Sequence, residues 1–209
     1  MTKKSKKYIL RFSQISKKDV SLVGGKNASL GEMFSKLTGK GINIPDGFAT
    51  TSSAFWHFLK EDNILPKLKD LFRNLDSKNL KNLQKVGREA RTFILKAEFP
   101  EDLKKEIIGA YRELKKKYGK ATSVAVRSSA TAEDLPSASF AGMHETYLNV
   151  KGEEELLKAV KKCLASLFND RAISYREEKG FSHLKIALSV GVQKMVRSDK
   201  GSSGVMFTI

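Results

Sequence analysis

Residues 122–130 read Thr-Ser-Val-Ala-Val-Arg-Ser-Ser-Ala, and at this stretch the pattern of the chain changes. The short apolar run predicts a buried β-strand, and the small residues that follow it in 131–142 predict a loop. We expect Arg127 to stand at the end of this strand, at a sheet edge where ligands often bind. A guanidinium there suits bidentate contact with phosphate, although a solvated arginine beside a mobile surface loop is the alternative.

Upstream of this strand the sequence predicts mostly helices. Apolar residues recur at helical spacing in 26–37, in 53–59 and in three stripes between 61 and 118. Between the first two helices, INIPDGFATT (residues 42–51) predicts a short strand, a turn and a second extended piece. We expect Ser52 or Ser53 to cap the helix that follows.

Downstream, strands and helices alternate. Strands are predicted in HETYLNV (144–150), in KIALSVGVQKMV (185–196) and from GVMFTI (204–209) onward, with two helices between the first two. The fold class we predict is therefore α+β. Because the last strand is still apolar at Ile209, we expect the 209 residues to be part of a longer protein.

Composition restricts the class of protein. The chain is 40% hydrophobic and 30% charged, with a mean hydropathy of −0.36, which is typical of a globular protein. Its longest apolar runs are four or five residues, too short for a transmembrane helix. Cys163 is the single cysteine, so the sequence offers neither an intramolecular disulfide nor a cysteine-based zinc site. A cytoplasmic location is the expectation.

The formal net charge is +16, which raises the question of nucleic-acid binding. The excess comes mainly from lysines scattered along helical faces, and no basic motif interleaved with aromatic residues accompanies them. Nucleic acid is therefore an unlikely partner. Solvated helix surfaces explain most of the charge, and a field that attracts a smaller polyanion such as a nucleotide remains open.

A glycine-rich stretch, GGKNASLG (residues 24–31), opens the helix predicted over 26–37. Glycines at a helix start allow backbone N–H groups to approach a phosphate, and Lys26 can meet its charge. The spacing is not that of a P-loop, so a glycine turn with a surface lysine remains an alternative.

Seven segments together resemble the nucleotide-binding region of the pyruvate phosphate dikinase family, which includes the pyruvate, water dikinases and, more loosely, rifampin phosphotransferase. They are VGGKNASLGEM, IPDGFATT, AVRSSATAEDLPSASFAG, ETYLNV, ASLFNDRAISYR, GVQKMVRSD and SSGVMFTI. The resemblance spans roughly residues 12–209.

This resemblance implies an ATP-grasp site between two lobes. ATP gives its β-phosphoryl group to a histidine on a swivelling domain and its γ-phosphate to water, and the phosphohistidine then phosphorylates pyruvate on a barrel domain. Residues 1–190 would form the N-terminal lobe, and 191–209 the hinge and first strands of the second. The histidine and barrel domains, and the Mg²⁺ ligands, would lie beyond Ile209.

The family pattern also implies roles for individual residues. Lys26 and Arg127 match residues that act on the ATP phosphates, and Gly142 and Thr146 match the phosphate side of the pocket. The segment against the adenine would consist of Gln193, Lys194, Met195 and Val196. Met143 replaces a glutamine that the family usually has, which removes one polar contact.

Three readings stay open. The chain is the ATP-binding part of a dikinase that forms phosphoenolpyruvate, or it is the same part of a dikinase with another acceptor. The third alternative is a stand-alone nucleotide-binding regulatory module. In the first two cases we expect these 209 residues alone to be catalytically incomplete.

Overall fold

The computed structural model describes residues 6–131 and 145–207. In these parts of the chain five strands form one antiparallel sheet in the order β1-β2-β5-β3-β4. The strands are β1 (Ile9–Arg11), β2 (Gly47–Thr50), β3 (Val124–Ala130), β4 (Thr146–Val150) and β5 (Leu188–Lys194). The α+β class is confirmed.

The helices described in the same ranges cover both faces of this sheet. They are α1 (Val20–Leu37), α2 (Ser52–Lys60), α3 (Ile64–Arg73), α4 (Leu80–Lys96), α5 (Glu101–Tyr118), α6 (Glu153–Ala165) and α7 (Asp170–Glu178). Successive strand residues point to opposite faces. Val126 and Val190 lie in the large core with helices α2 to α6, whereas Ala49 lies in a smaller core with α1.

Several predicted elements are confirmed and others are wrong. The helices between 61 and 118 and the strands at 122–130, 144–150 and 185–196 all form. Residues 42–45 form no strand, and Thr51 rather than Ser52 or Ser53 caps α2, where its hydroxyl oxygen accepts a hydrogen bond from the Ala54 N–H at 3.3 Å. Residues 204–207 form no strand either.

Two further differences concern the first strand and the first residue of helix α1. Strand β1 was not predicted, and Leu10 there pairs with Ala49 of β2. Helix α1 begins at Val20 instead of Lys26, and its regular geometry is interrupted at Gly24, the first of the two glycines before Lys26.

Strand β5 is the central strand and passes unbroken through residue 190. Gln193 pairs with Gly47 on one side and with Ala125 on the other. The predicted division between 1–190 and 191–209 stays a prediction, and residues up to Lys194 are integral to this sheet.

Candidate functional site

The interruption in α1 brings this helix close to the sheet. Gly24 has φ 73° and ψ 163°, a backbone conformation that residues with a side chain rarely adopt. A Cβ atom at this position would lie 2.2 Å from Ser129 Oγ and 2.6 Å from the Ser129 carbonyl oxygen. Glycine is therefore required for both the backbone angle and the close approach, and the helical segment after Gly24 begins directly against β3.

Asn27 fastens this segment to the two central strands. Its backbone N–H donates to Ser129 Oγ at 3.4 Å, and its side-chain Nδ2 donates to Ser189 Oγ at 2.9 Å. Ser189 in turn donates its hydroxyl proton to the Thr50 carbonyl oxygen at 2.6 Å. Because these side chains are buried, the paired hydrogen bonds fix where the N-terminal end of the segment stands.

Arg127 lies in the middle of β3, exposed and opposite Gly191 of β5 and Thr146 of β4. The prediction that it ends the strand is wrong, because β3 continues through the small residues that pack beneath α1. A Cβ atom on Gly191 would lie 2.1 Å from Asn27 Oδ1. The strand pair that carries Arg127 therefore passes under Asn27, the residue next to Lys26.

The arrangement places two exposed cationic residues on one face of the sheet, beside a helix start. Lys26 follows the two glycines, and Arg127 shares its face with Ser129 and Gly191 because alternate residues point the same way. Helix starts carry partial positive charge. This end of the site is suited to bind an anionic group such as a phosphate.

The other predicted group lies at the end of β5. The buried side chain of Gln193 donates through Nε2 to the Pro45 carbonyl oxygen at 3.2 Å. The Lys194 N–H donates to the Asp46 carbonyl oxygen at 2.8 Å and the Met195 N–H to Ser123 O at 3.0 Å. These two donors are used within the fold, and Val196, 60% exposed, is the first residue beyond them.

The two ends are separated along one strand. Ser189, under Asn27, and Gln193, bonded to Pro45, are four residues apart on β5, so they share a face and lie about 13 Å apart at the usual rise of a strand. That distance is comparable with the length of an extended nucleoside triphosphate. One face of the sheet thus carries both groups of predicted residues.

The chain matches a known protein family over most of its length. The family described as pyruvate phosphate dikinase, AMP/ATP-binding domain, matches residues 20–209. The chain belongs to this family. The match begins at Val20, the first residue of α1, and includes both ends of the site.

Several curated relatives of this chain are named as phosphoenolpyruvate synthases. Phosphoenolpyruvate synthase of Helicobacter pylori is 55% identical over 204 residues, 97% of this chain and 25% of that protein. The Escherichia coli enzyme of the same name is 50% identical over 96% of the chain and 25% of its own length. A probable phosphoenolpyruvate synthase of Methanocaldococcus jannaschii is 47% identical, with 17% of its length covered. The chain thus spans about a quarter or less of these relatives.

Some predicted features of the dikinase-family site are not found among the described residues. Gly142 and Met143 lie outside the described residues. Within residues 6–131 and 145–207, no group of three or more His, Cys, Asp or Glu side chains could hold a metal ion. The described residues therefore supply no such carboxylate cluster for Mg²⁺. In the same ranges, no helix is both long and apolar enough to cross a membrane.

The polar network around Asn27 was not among the predicted site residues. Two signals in the sequence could have indicated it. Asn27 directly follows the glycine-lysine stretch, and Ser189 interrupts the apolar run of residues 186–192. A buried polar side chain in such a strand needs a hydrogen-bond partner, and here Asn27 and Ser189 are hydrogen-bonded to each other.

Proposed function

We propose that the chain is the ATP-binding part of a phosphoenolpyruvate synthase, a pyruvate, water dikinase. Such an enzyme converts ATP, pyruvate and water into AMP, phosphoenolpyruvate and phosphate. The observation that carries the proposal is the start of the α1 segment, where Lys26 lies next to Asn27 above the strand pair of Arg127. Pyruvate is proposed as the substrate because the relatives are named as phosphoenolpyruvate synthases.

At the phosphate end, Lys26 and Arg127 would neutralise the charge of the triphosphate. Thr146, opposite Arg127 on β4, would add a hydroxyl contact, and Gly142 would line the same end. Phosphoryl transfer depends mainly on positioning and on charge neutralisation. We therefore assign these cations a role in stabilising the transition state as well as in binding.

At the base end, the adenine would lie against the segment from Gln193 to Val196. Backbone carbonyls there and the packing of the Met195 side chain would recognise the purine. The sheet would then be the core of an ATP-grasp lobe, with the second lobe following β5. Mg²⁺ would bind through ligands after Ile209 and through the phosphates themselves.

The rest of the reaction would need the remainder of the parent protein. A phosphohistidine domain and a pyruvate-binding barrel are the partners that the family implies, and neither function is assigned to residues of this chain. The 209 residues alone are therefore expected to bind MgATP without completing turnover. A cytoplasmic location belongs to the same proposal.

Calorimetric titration of the 209-residue chain with MgATP tests the assignment. Arg127→Ala should weaken binding about tenfold or more, because a hydrogen bond between charged groups is lost. Arg88→Ala, which removes an exposed arginine from α4 on the opposite side of the sheet, should leave the affinity unchanged. Equal affinity of Arg127→Ala and the wild-type chain would overturn the proposed phosphate site.

A further inference from the structure

Four residues meet where α5 ends beside β5, and we call them the Asp46 cluster: Asp46, Lys117, Tyr118 and Lys194. Asp46 Oδ2 accepts hydrogen bonds from Lys117 Nζ at 2.7 Å and from the Tyr118 hydroxyl at 3.3 Å. Its other oxygen, Oδ1, accepts from the Gly47 N–H at 2.8 Å. The Asp46 side chain is 15% exposed and that of Lys117 57%, so the ion pair is partly exposed.

The ring of Tyr118 links the helix to the strand. Lys117 Nζ lies 5.1 Å and Lys194 Nζ 5.2 Å from its centroid, so two ammonium groups approach one aromatic ring. Lys194 is also the residue whose N–H donates to the Asp46 carbonyl oxygen at 2.8 Å. The cluster therefore holds Lys194 by both its backbone and its side chain.

The neighbouring bonds extend this restraint over the end of β5. The Pro45 carbonyl oxygen accepts from Gln193 Nε2, and Ser123 O accepts from the Met195 N–H. The turn before β2 and the residue before β3 thus hold Gln193 and Lys194, the last two residues of β5, and Met195, which follows them. None of the residues at the phosphate end, such as Lys26 or Arg127, contributes to these bonds.

We propose that the Asp46 cluster positions the base end of the nucleotide site by fixing where β5 ends. The inference rests on the proposed function and adds positioning residues to it. These residues lie on the α5 side and do not need to touch the triphosphate. Weakening the cluster should therefore reduce recognition of the base while recognition of the phosphates is retained.

The test uses two ligands, MgATP and magnesium tripolyphosphate, titrated calorimetrically into the 209-residue chain. Lys117→Met keeps the aliphatic stem but removes the ion pair with Asp46, and it should weaken MgATP about fivefold, the loss expected for one partly exposed ion pair. Tripolyphosphate, which has no base, should bind as it does to the wild-type chain. Lys117→Arg restores the charge and should recover most of the affinity for MgATP.

Lys116→Met is the matched control, since it removes the same charge from the exposed neighbouring position on α5. It should change neither affinity beyond the small effect of net charge. Asp46→Asn provides a second variant and should reproduce the selective loss for MgATP. Thermal unfolding of each variant confirms that the chains compared are folded.

The outcomes separate the two proposals. A wild-type chain that does not bind MgATP overturns the proposed function, and the inference with it. MgATP binding that Lys117→Met leaves unchanged overturns the inference alone. An equal loss for MgATP and tripolyphosphate also overturns it, because the cluster would then act on the whole fold instead of the base end.

Discussion

Gly24 is the residue on which the geometry of the phosphate end depends most directly. Its positive φ and its contact with Ser129 both exclude a side chain. Gly24→Ala should destabilise the chain by about 2 kcal/mol or more, because the methyl group would collide with backbone atoms that cannot move away. Urea unfolding followed by circular dichroism measures this change.

Gly109→Ala is the matched control for that substitution. Gly109 lies inside α5, and a Cβ atom there would meet nothing within 4 Å. The change should stabilise the chain by about 0.5–1 kcal/mol, because alanine favours the helix over glycine. If Gly24→Ala proved as stable as Gly109→Ala, the close approach of α1 to β3 would be contradicted.

Single residues also show what the sequence could and could not predict. The glycine-lysine stretch correctly indicated a break before a helix, because glycine tolerates backbone angles that other residues do not. The sequence predicts Arg127 at a strand end because it directly follows the apolar run and precedes small residues. Small residues serve equally well where a helix packs closely on a strand, and only the tertiary contact with Gly24 distinguishes the two cases.

At the scale of elements, long-range pairing explains the errors in strand prediction. Strand β1 has only three residues and follows a run of lysines, so no local pattern marks it; it forms because β2 is beside it. Residues 205–207 have the composition of a strand and are more than 80% exposed. Strand propensity reflects packing against neighbours, and these residues pack against little of the described chain.

The contact between α3 and α7 has a predictable dependence on pH. Burial, followed by the charge of Arg176, lowers the pKa of His183. Arg176 Nε donates to His183 Nδ1 at 3.0 Å, and the Phe72 ring stacks on the imidazole at 4.5 Å. Glu177, whose Oε1 lies 2.7 Å from His183 Nε2, opposes this shift without reversing it. The folded state therefore favours the neutral form of His183 more than the unfolded chain, which takes up a proton near pH 6.5.

This difference in proton binding should make the chain less stable in mild acid. The contribution of His183 is fully present above its ordinary pKa and is lost as the pH falls, by up to about 1.4 kcal/mol per pH unit for one proton. Urea unfolding between about pH 7.5 and 5 should show a shallower loss in His183→Gln than in Ser182→Ala, the exposed neighbour. Identical slopes would mean that His183 is not held neutral.

At the scale of the whole molecule, one antiparallel sheet carries two proposed binding ends on a single face. The α1 side holds the phosphate end through Asn27, and the turn at Asp46 holds the base end of β5. The sequence predicted both groups through its resemblance to a dikinase family, but not the hydrogen bonds that join them to the sheet. Such bonds connect residues more than a hundred positions apart and leave no local pattern.

The central claim is that this chain has a nucleotide site with both ends already formed. Amide NMR during a titration with MgATP tests it most directly. The account predicts shifts confined to residues 24–28, to Arg127 with its strand neighbours, and to residues 193–196, all weakened in Lys26→Ala and Arg127→Ala. A folded chain that shows no shifts at millimolar MgATP, or shifts away from both ends of β5, would contradict it.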